Sequence, residues 1–166
     1  MALIPRGGDD NIYTPDYLAS EIVGHFKPQI SGKVLEPCRG GGAFLRGFKT
    51  HKISPVVSTE ISEGSDFFQF DSRVNWIITN PPWSKIRWFL VHSYELSNNI
   101  VFLMSINAIL GLKARIRDMQ EHGFAIKEIY MIKTPKVWPS TGMQAAAIHF
   151  KKGWKEGMIL SKALED

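Results

Sequence analysis

Hydrophobic positions follow a helical period in some segments of the chain and form short continuous runs in others. Between residues 15 and 26 they recur at the spacing of one helix face, at Leu18, Ala19, Ile22, Val23 and Phe26. Thr14 and Pro15 stand just before this run, so they predict the N-cap and the first position of a helix. Similar patterns predict further helices over residues 42–48, 86–96 and 111–120.

Short apolar runs lie between these helices and predict strands over residues 33–36, 56–60, 74–79, 100–105, 126–132 and 144–151. Strands that alternate with helices are typical of a parallel, doubly wound sheet. Residues 133–143 join the last two strands without a helical pattern, which predicts an antiparallel hairpin. We expect an α/β, Rossmann-like fold whose mostly parallel sheet has seven strands and ends on this hairpin.

Composition limits the possible classes of protein. A length of 166 residues with 44% hydrophobic content predicts one domain over residues 1–166. The net charge of +4 allows nucleic-acid binding without requiring it. Cys38 is the single cysteine, which excludes an intrachain disulfide and favours a reducing, cytoplasmic location, and no Cys and His spacing indicates a metal site. Residues 1–11 lack the apolar core of a signal peptide, and the apolar region at 100–112 is too short for a membrane span.

The tetrapeptide Asn80, Pro81, Pro82, Trp83 directly follows the predicted strand over residues 74–79. A residue before proline avoids the helical region and proline has no N–H, so this segment is expected to be extended and rich in acceptors. The Asn80 side-chain oxygen and the Pro81 carbonyl can both accept from a planar NH2 group, and the Trp83 indole can stack on its ring. A proline pair that simply ends a strand is the alternative to a site for an aromatic amine.

A glycine-rich turn follows the first predicted strand and carries Gly40, Gly41 and Gly42. Such a turn lets a ligand approach the backbone closely. The second predicted strand ends at Glu60, whose carboxylate suits a ribose diol. In doubly wound sheets ligands bind at the carboxyl ends of the strands, where Glu36, Glu60 and Asn80 all fall.

Together these segments resemble the amino-methyltransferases that use S-adenosylmethionine, specifically their adenine-N6 branch, over residues 13–150. The tetrapeptide matches the family's catalytic motif, so the resemblance implies catalytic roles for Asn80, Pro81, Pro82 and Trp83. It also implies S-adenosylmethionine as the cofactor, with binding residues at Tyr13, Thr14, Pro15, Glu36, Pro37, Cys38, Gly40, Gly42, Phe44, Glu60, Ile61, Asp66 and Phe67.

Two features depart from the family pattern. Residues 61–65 are too few for the helix that normally links the second and third strands before Asp66. We also expect no target-recognition domain within these 166 residues. Any sequence specificity is therefore expected from loops, from a homodimer or from a specificity partner.

Two loops beside the predicted site are candidate nucleic-acid contacts. The loop after the tetrapeptide carries Lys85 and Arg87, and the loop over residues 133–142 carries Lys136 and Trp138. Trp138 lies close to prolines on a loop and has little reason to belong to the core. Phosphate contact and a plain solvated surface both explain the basic residues of the later segment, which are Lys133, Lys136, Lys151, Lys152 and Lys155.

The sequence predicts an enzyme that transfers a methyl group from S-adenosylmethionine to the exocyclic N6 amine of adenine in DNA. An adenine in RNA and a protein glutamine are alternative substrates, because both carry a planar NH2 group. A noncatalytic cofactor-binding or partner subunit is the alternative from another class. The two convergent acceptors at Asn80 and Pro81 argue against such a subunit, because binding alone does not require them.

Overall fold

The computed structural model describes residues 12–138 and 144–162. Within this part of the chain, seven strands form one mixed sheet in the order β2-β1-β3-β4-β6-β5-β7. The strands are β1 (Val34–Glu36), β2 (Val56–Ser58), β3 (Trp76–Thr79), β4 (Asn99–Ser105), β5 (Phe124–Met131), β6 (Ala145–Lys152) and β7 (Ile159–Lys162). Strands β1 to β4 are parallel to one another, whereas β6 runs antiparallel to both β4 and β5. The Rossmann-like α/β fold and the closing hairpin are therefore confirmed.

Helices cover both faces of the central strands. They are α1 (Asp16–Phe26), α2 (Ala43–Thr50), α3 (Ile86–Leu96), α4 (Asn107–Leu110) and α5 (Lys113–Glu121). One hydrophobic cluster joins α1 and α2 to one face of the sheet, and a second cluster joins α3 and α5 to the other. Every residue of β3 is buried for this reason, as is typical of a parallel strand between two helical layers.

Several element boundaries differ from the prediction. The first helix begins at Asp16 with Pro15 as its N-cap, and the predicted N-cap residue Thr14 makes no capping hydrogen bond. Its hydroxyl instead accepts a hydrogen bond from the Asn80 side chain. The helix predicted over residues 111–120 begins at Lys113, because Gly111 already ends the short helix α4. None of the described helices is both long and apolar enough to cross a membrane.

The two edges of the sheet differ from its central strands. Residues 61–69 contain two short 3-10 turns, Ile61–Glu63 and Phe67–Gln69, and no α-helix, as the short link after Glu60 predicts, and β2 is an edge strand of the described sheet. At the opposite edge, β7 pairs in parallel with β5. Its residues are mostly exposed and show no buried run, which is why the pattern of hydrophobic residues does not reveal it.

The strand directions divide the polar residues between two ends of the sheet. Parallel strands β1, β2 and β3 all end at one edge, where Glu36, Glu60 and Asn80 lie. Because β6 is antiparallel to β4, its last residues lie at the opposite end, where Lys151 pairs with Asn99. This corrects the grouping of the basic residues: Lys151, Lys152 and Lys155 lie far from the edge that carries Asn80.

Candidate functional site

A cavity of about 520 Å3 opens at the edge where β1, β2 and β3 end. Its walls come from the segments after these strands, from the segment before α1 and from the loop after β5. It brings together most of the residues that the sequence predicts for the site, namely Tyr13, Thr14, Pro37, Cys38, Gly40, Phe44, Glu60, Ile61, Asp66, Phe67, Asn80, Pro81, Pro82, Trp83, Lys85 and Trp138.

Two predicted substrate contacts lie outside this lining. The Arg87 side chain spans from α3 to α5, where its Nε donates to Asp118 Oδ2 at 2.7 Å. Hydrogen bonding from Arg87 holds the pKa of the Asp118 carboxyl below its ordinary value. Lys136 is exposed on the loop after β5 and does not line the cavity. The Arg87 side chain therefore links α3 to α5, and neither Arg87 nor Lys136 lines the cavity.

The glycine-rich turn forms the floor beside α2. Gly40 has a φ of +49° and Gly42 a φ of +80°, a left-handed backbone that favours glycine at both positions. Gly42 is the N-cap of α2, and it shapes the turn but does not line the cavity. Pro15 is the N-cap of α1 and does not line the cavity either. A Cβ atom at Gly40 would lie 3.4 Å from Cε1 of Tyr13. The ring of Tyr13 therefore lies directly against the turn.

The Glu36 carboxyl lies buried beneath this turn, with only 1% of the residue exposed. Burial raises the pKa of Glu36 to about 8, against opposing hydrogen bonds from the Thr79 hydroxyl and the Cys38 N–H to Oε1. The other oxygen, Oε2, has no hydrogen-bond partner among the described residues. Burial and the nearby Glu36 also raise the pKa of the Cys38 thiol, so this cysteine stays protonated at neutral pH.

Glu60 joins the end of β2 to the glycine-rich turn. Its Oε2 accepts from the Gly40 N–H at 2.7 Å, and its Oε1 accepts from the Ser62 N–H and hydroxyl at 3.2 and 2.9 Å. Partial burial opposes ionisation, but these hydrogen bonds and the charge of Arg39 hold the pKa of Glu60 below its ordinary value. The side chain is therefore an anion whose position is fixed at the cavity wall.

Aromatic rings form the wall beyond Glu60. Phe67 is buried and stacks on Phe89 with 5.0 Å between ring centroids, and Phe68 meets Phe89 edge-on at 5.1 Å. Asp66 precedes them and accepts from the Phe68 N–H at 3.0 Å. Ile61 is 70% exposed at the mouth of the cavity. This wall is aromatic and apolar, with one carboxylate at its edge.

Asn80 is held by hydrogen bonds on both sides of its amide. Its Nδ2 donates to Thr14 Oγ1 at 3.1 Å and to the Ile12 carbonyl at 3.4 Å. Its Oδ1 accepts from Trp83 Nε1 at 3.1 Å. A carbonyl oxygen has two lone pairs, so Oδ1 can still accept one further proton.

Two indoles close the cavity beside Asn80. Trp83 and Trp138 meet edge-on, with 6.1 Å between ring centroids and 89° between ring planes. Trp83 Nε1 also lies 3.3 Å from the Leu103 carbonyl, and Trp138 Nε1 donates to the Tyr13 carbonyl at 3.1 Å. Trp138 is thus tied to the N-terminal segment and lines the cavity.

Arginines at the cavity were not predicted. Arg46 on α2 donates to both carboxylate oxygens of Asp16, at 2.8 and 2.6 Å, and to the Gly41 carbonyl at 2.7 Å. Arg39, within the turn, contacts the Glu63 carboxylate. Their acidic partners are distant in the sequence, so no local spacing pointed to them.

The fold matches those of several solved methyltransferase structures. A candidate RNA methyltransferase from Pyrococcus horikoshii is 19% identical with a TM-score of 0.69, and the match covers 89% of this chain and 91% of that protein. A candidate class I S-adenosylmethionine-dependent methyltransferase from Listeria monocytogenes is 13% identical with a TM-score of 0.67, covering 95% and 68%. The M protein of the type I restriction enzyme EcoKI is 13% identical with a TM-score of 0.63, covering 87% of this chain but only 44% of that protein.

The sequence matches no protein-family model and no curated protein. At these low identities the structural likeness shows the fold, which is that of the class I methyltransferases. The described chain spans less than half the length of the EcoKI M protein.

Proposed function

We propose that this chain is an S-adenosylmethionine-dependent methyltransferase that acts on the exocyclic N6 amine of adenine in DNA. The observation that carries the proposal is the Asn80 amide, which lines the cavity with its oxygen held next to Trp83. With the Pro81 carbonyl, this oxygen would accept two hydrogen bonds from one planar NH2 group. The methyltransferases and the restriction-enzyme M protein of similar fold support the same class of reaction.

The residues around the cavity suit this cofactor in charge and shape. Glu36 lies beneath the glycine-rich turn and outside the cavity lining, and its Oε2 has no partner among the described residues. Glu60 accepts three hydrogen bonds, and because a carboxylate has about four acceptor sites, it retains capacity for a ribose hydroxyl. Phe67 and Phe68 offer an apolar wall to the adenine ring, with Asp66 at its edge.

The protein's part in the reaction is chiefly positioning. When bound, the cofactor would supply an activated methyl group to the nitrogen, leaving the electron pair of its carbon–sulfur bond on sulfur, and the proton that the nitrogen loses would pass to water. An adenine amine is a weak nucleophile because its lone pair is delocalised into the ring. Asn80 and Pro81, by accepting both protons, would favour a localised lone pair on the nitrogen. Alignment of reacting atoms can lower a barrier by about 7 to 11 kcal/mol.

The substrate base would lie against the indoles. Stacking of a base on an aromatic side chain contributes about 1 to 3 kcal/mol. An adenine in duplex DNA must first leave the helix, at a cost of a few kcal/mol. An adenine in RNA is the second candidate substrate, favoured by the likeness to the candidate RNA methyltransferase from Pyrococcus horikoshii.

The test combines product analysis with one substitution. The parent chain is incubated with methyl-labelled S-adenosylmethionine and separately with duplex DNA, single-stranded DNA, RNA and protein, and the nucleosides are then separated. We expect N6-methyl-2′-deoxyadenosine in a DNA pool, whereas N6-methyladenosine in the RNA pool would support RNA as the substrate. Asn80→Ala should lower formation of the methylated nucleoside at least about a hundredfold, the scale on which loss of one well-placed transition-state hydrogen bond acts. Calorimetry should show almost unchanged cofactor affinity, because the lost interaction acts on the attacking amine.

Asn98→Ala is the matched control, since Asn98 is an exposed asparagine at the opposite end of the sheet. It should keep full activity. Equal turnover by the parent and Asn80→Ala would contradict the mechanism. No methylation of any pool by a parent chain that binds the cofactor would instead favour a noncatalytic binding subunit.

A further inference from the structure

The orientation of the Asn80 amide is set by its neighbours. An indole N–H can only donate, so the Asn80 atom that faces Trp83 Nε1 at 3.1 Å must be the oxygen. The NH2 group then faces Thr14 Oγ1 and the Ile12 carbonyl, both of which can accept. A flipped amide would place its NH2 group against the Trp83 N–H and its oxygen against the Ile12 carbonyl. Both contacts would be repulsive.

From this geometry we propose that Thr14 and Trp83 are positioning residues, which hold the Asn80 oxygen in the orientation that accepts a hydrogen bond from the substrate amine. The proposal rests on the methyl transfer proposed above. A flipped Asn80 would present a donor to an amine that itself donates, and the pair of acceptors would be lost. The role assigned to Thr14 differs from the cofactor contact that the sequence predicts for it.

Trp83 can serve this role and still stack on a base. Its N–H lies in the plane of the indole, so donation leaves the faces of the ring available. The same N–H lies 3.3 Å from the Leu103 carbonyl on β4, which fixes the ring against the sheet. A phenylalanine at this position would keep a stacking face but could not orient the amide.

Thr14 connects the amide to the segment that covers the glycine-rich turn. The ring of the adjacent Tyr13 lies against Gly40 and Gly41, and the Tyr13 carbonyl accepts from Trp138 Nε1 at 3.1 Å. In this way, one segment contacts both the turn and the proposed catalytic amide.

The kinetic test compares Thr14→Val, Thr14→Ser and Trp83→Phe with the parent. Thr14→Val removes the hydroxyl at nearly constant volume, and we expect kcat to fall about fivefold to tenfold, the scale of one hydrogen bond, with KM for nucleic acid almost unchanged. Thr14→Ser restores the hydroxyl and should recover most of kcat. Trp83→Phe should likewise lower kcat more than it changes KM, whereas Trp83→Ala should also raise KM. Thermal melting of each variant checks that it is folded.

A second readout does not require activity. The side-chain amide signals of Asn80 in 15N–1H NMR spectra, assigned from their loss in Asn80→Ala, should shift in Thr14→Val and Trp83→Phe and return to the parent position in Thr14→Ser. Unshifted signals in both variants would overturn the proposal, whether or not the parent methylates adenine. Where the parent is active, two kinetic results would also overturn the proposal. One is a kcat equal to that of the parent in both Thr14→Val and Trp83→Phe. The other is a kcat in Thr14→Ser that stays as low as in Thr14→Val.

Discussion

The protonation state of Glu36, a residue at a strand end, depends on the residues that surround its carboxyl. Glu36 is the last residue of β1, and its carboxyl accepts hydrogen bonds from Cys38, just after β1, and from Thr79, the last residue of β3. The sequence shows an acidic residue before a glycine-rich turn, but its burial follows only from the packing above it. Its Oε1 accepts two hydrogen bonds, and its Oε2 has no hydrogen-bond partner among the described residues. Without a cation nearby, such a group favours its neutral form.

This burial predicts a pH dependence of stability. The pKa of Glu36 is about 8 in the folded chain and lies near the ordinary value of 4.5 in the unfolded chain. Between these values the folded chain binds one more proton, so the contribution of Glu36 to the free energy of unfolding falls as pH rises. The slope can reach about 1.4 kcal/mol per pH unit. Urea denaturation at pH 5.5, 6.5 and 7.5 should show this slope in the parent and a smaller one in Glu36→Gln. Parallel pH profiles of the two proteins would contradict the assignment.

At the scale of elements, the chain is most predictable where packing and local pattern agree. Helix α3 spans Ile86–Leu96, as its apolar spacing predicts, and the strand ends place Asn80 at the edge that carries Glu36. The hydrophobic pattern does not predict the position of β7, because an edge strand can remain exposed. Two further features could not be predicted from the sequence: the ion pair of Arg87 with Asp118 and the direction of the Trp83 N–H. Both depend on partners that only the fold brings close.

The contact between α1 and α2 allows a test at this scale. A Cβ atom at Gly47 would lie 3.3 Å from the Ala19 carbonyl oxygen and 3.4 Å from Ser20 Cα, both backbone atoms of α1. Gly47→Ala should gain up to about 1 kcal/mol of helix propensity but lose about 1 to 3 kcal/mol through overpacking. We expect a net loss of stability in urea denaturation. Gly157→Ala is the control, because no atom lies within 4 Å of its added Cβ. A Gly47→Ala chain as stable as the parent would contradict this expectation, because the cost of overpacking would then not exceed the gain in helix propensity.

The whole molecule carries positive charge at both ends of its sheet. Lys85 lines the cavity, whereas Lys155 follows the turn after β6 at the opposite end. Lys127 and Lys151 lie at that far end as well, where their ammonium groups are 5.1 and 5.5 Å from the Trp154 ring. The two ends are separated by the length of β6, an eight-residue strand that at a rise of about 3.3 Å per residue spans roughly 23 Å. This exceeds the screening length of about 8 Å at physiological salt, so charges at one end act only weakly at the other.

This separation predicts that two lysines of equal charge will differ in their effect on nucleic-acid binding. If substrate enters the cavity described above, Lys85→Gln should weaken DNA binding and reduce the slope of log K against log salt by about 0.9, the value for one lost phosphate contact on a duplex. Lys155→Gln removes the same charge at the far end and should leave both quantities almost unchanged, because its distance from the cavity exceeds the screening length. Fluorescence anisotropy with a labelled duplex at several salt concentrations measures both. Equal losses in the two variants would mean that DNA binding depends on net charge alone. A loss confined to Lys155→Gln would place the nucleic-acid surface at the far end of the sheet and contradict substrate entry beside Asn80.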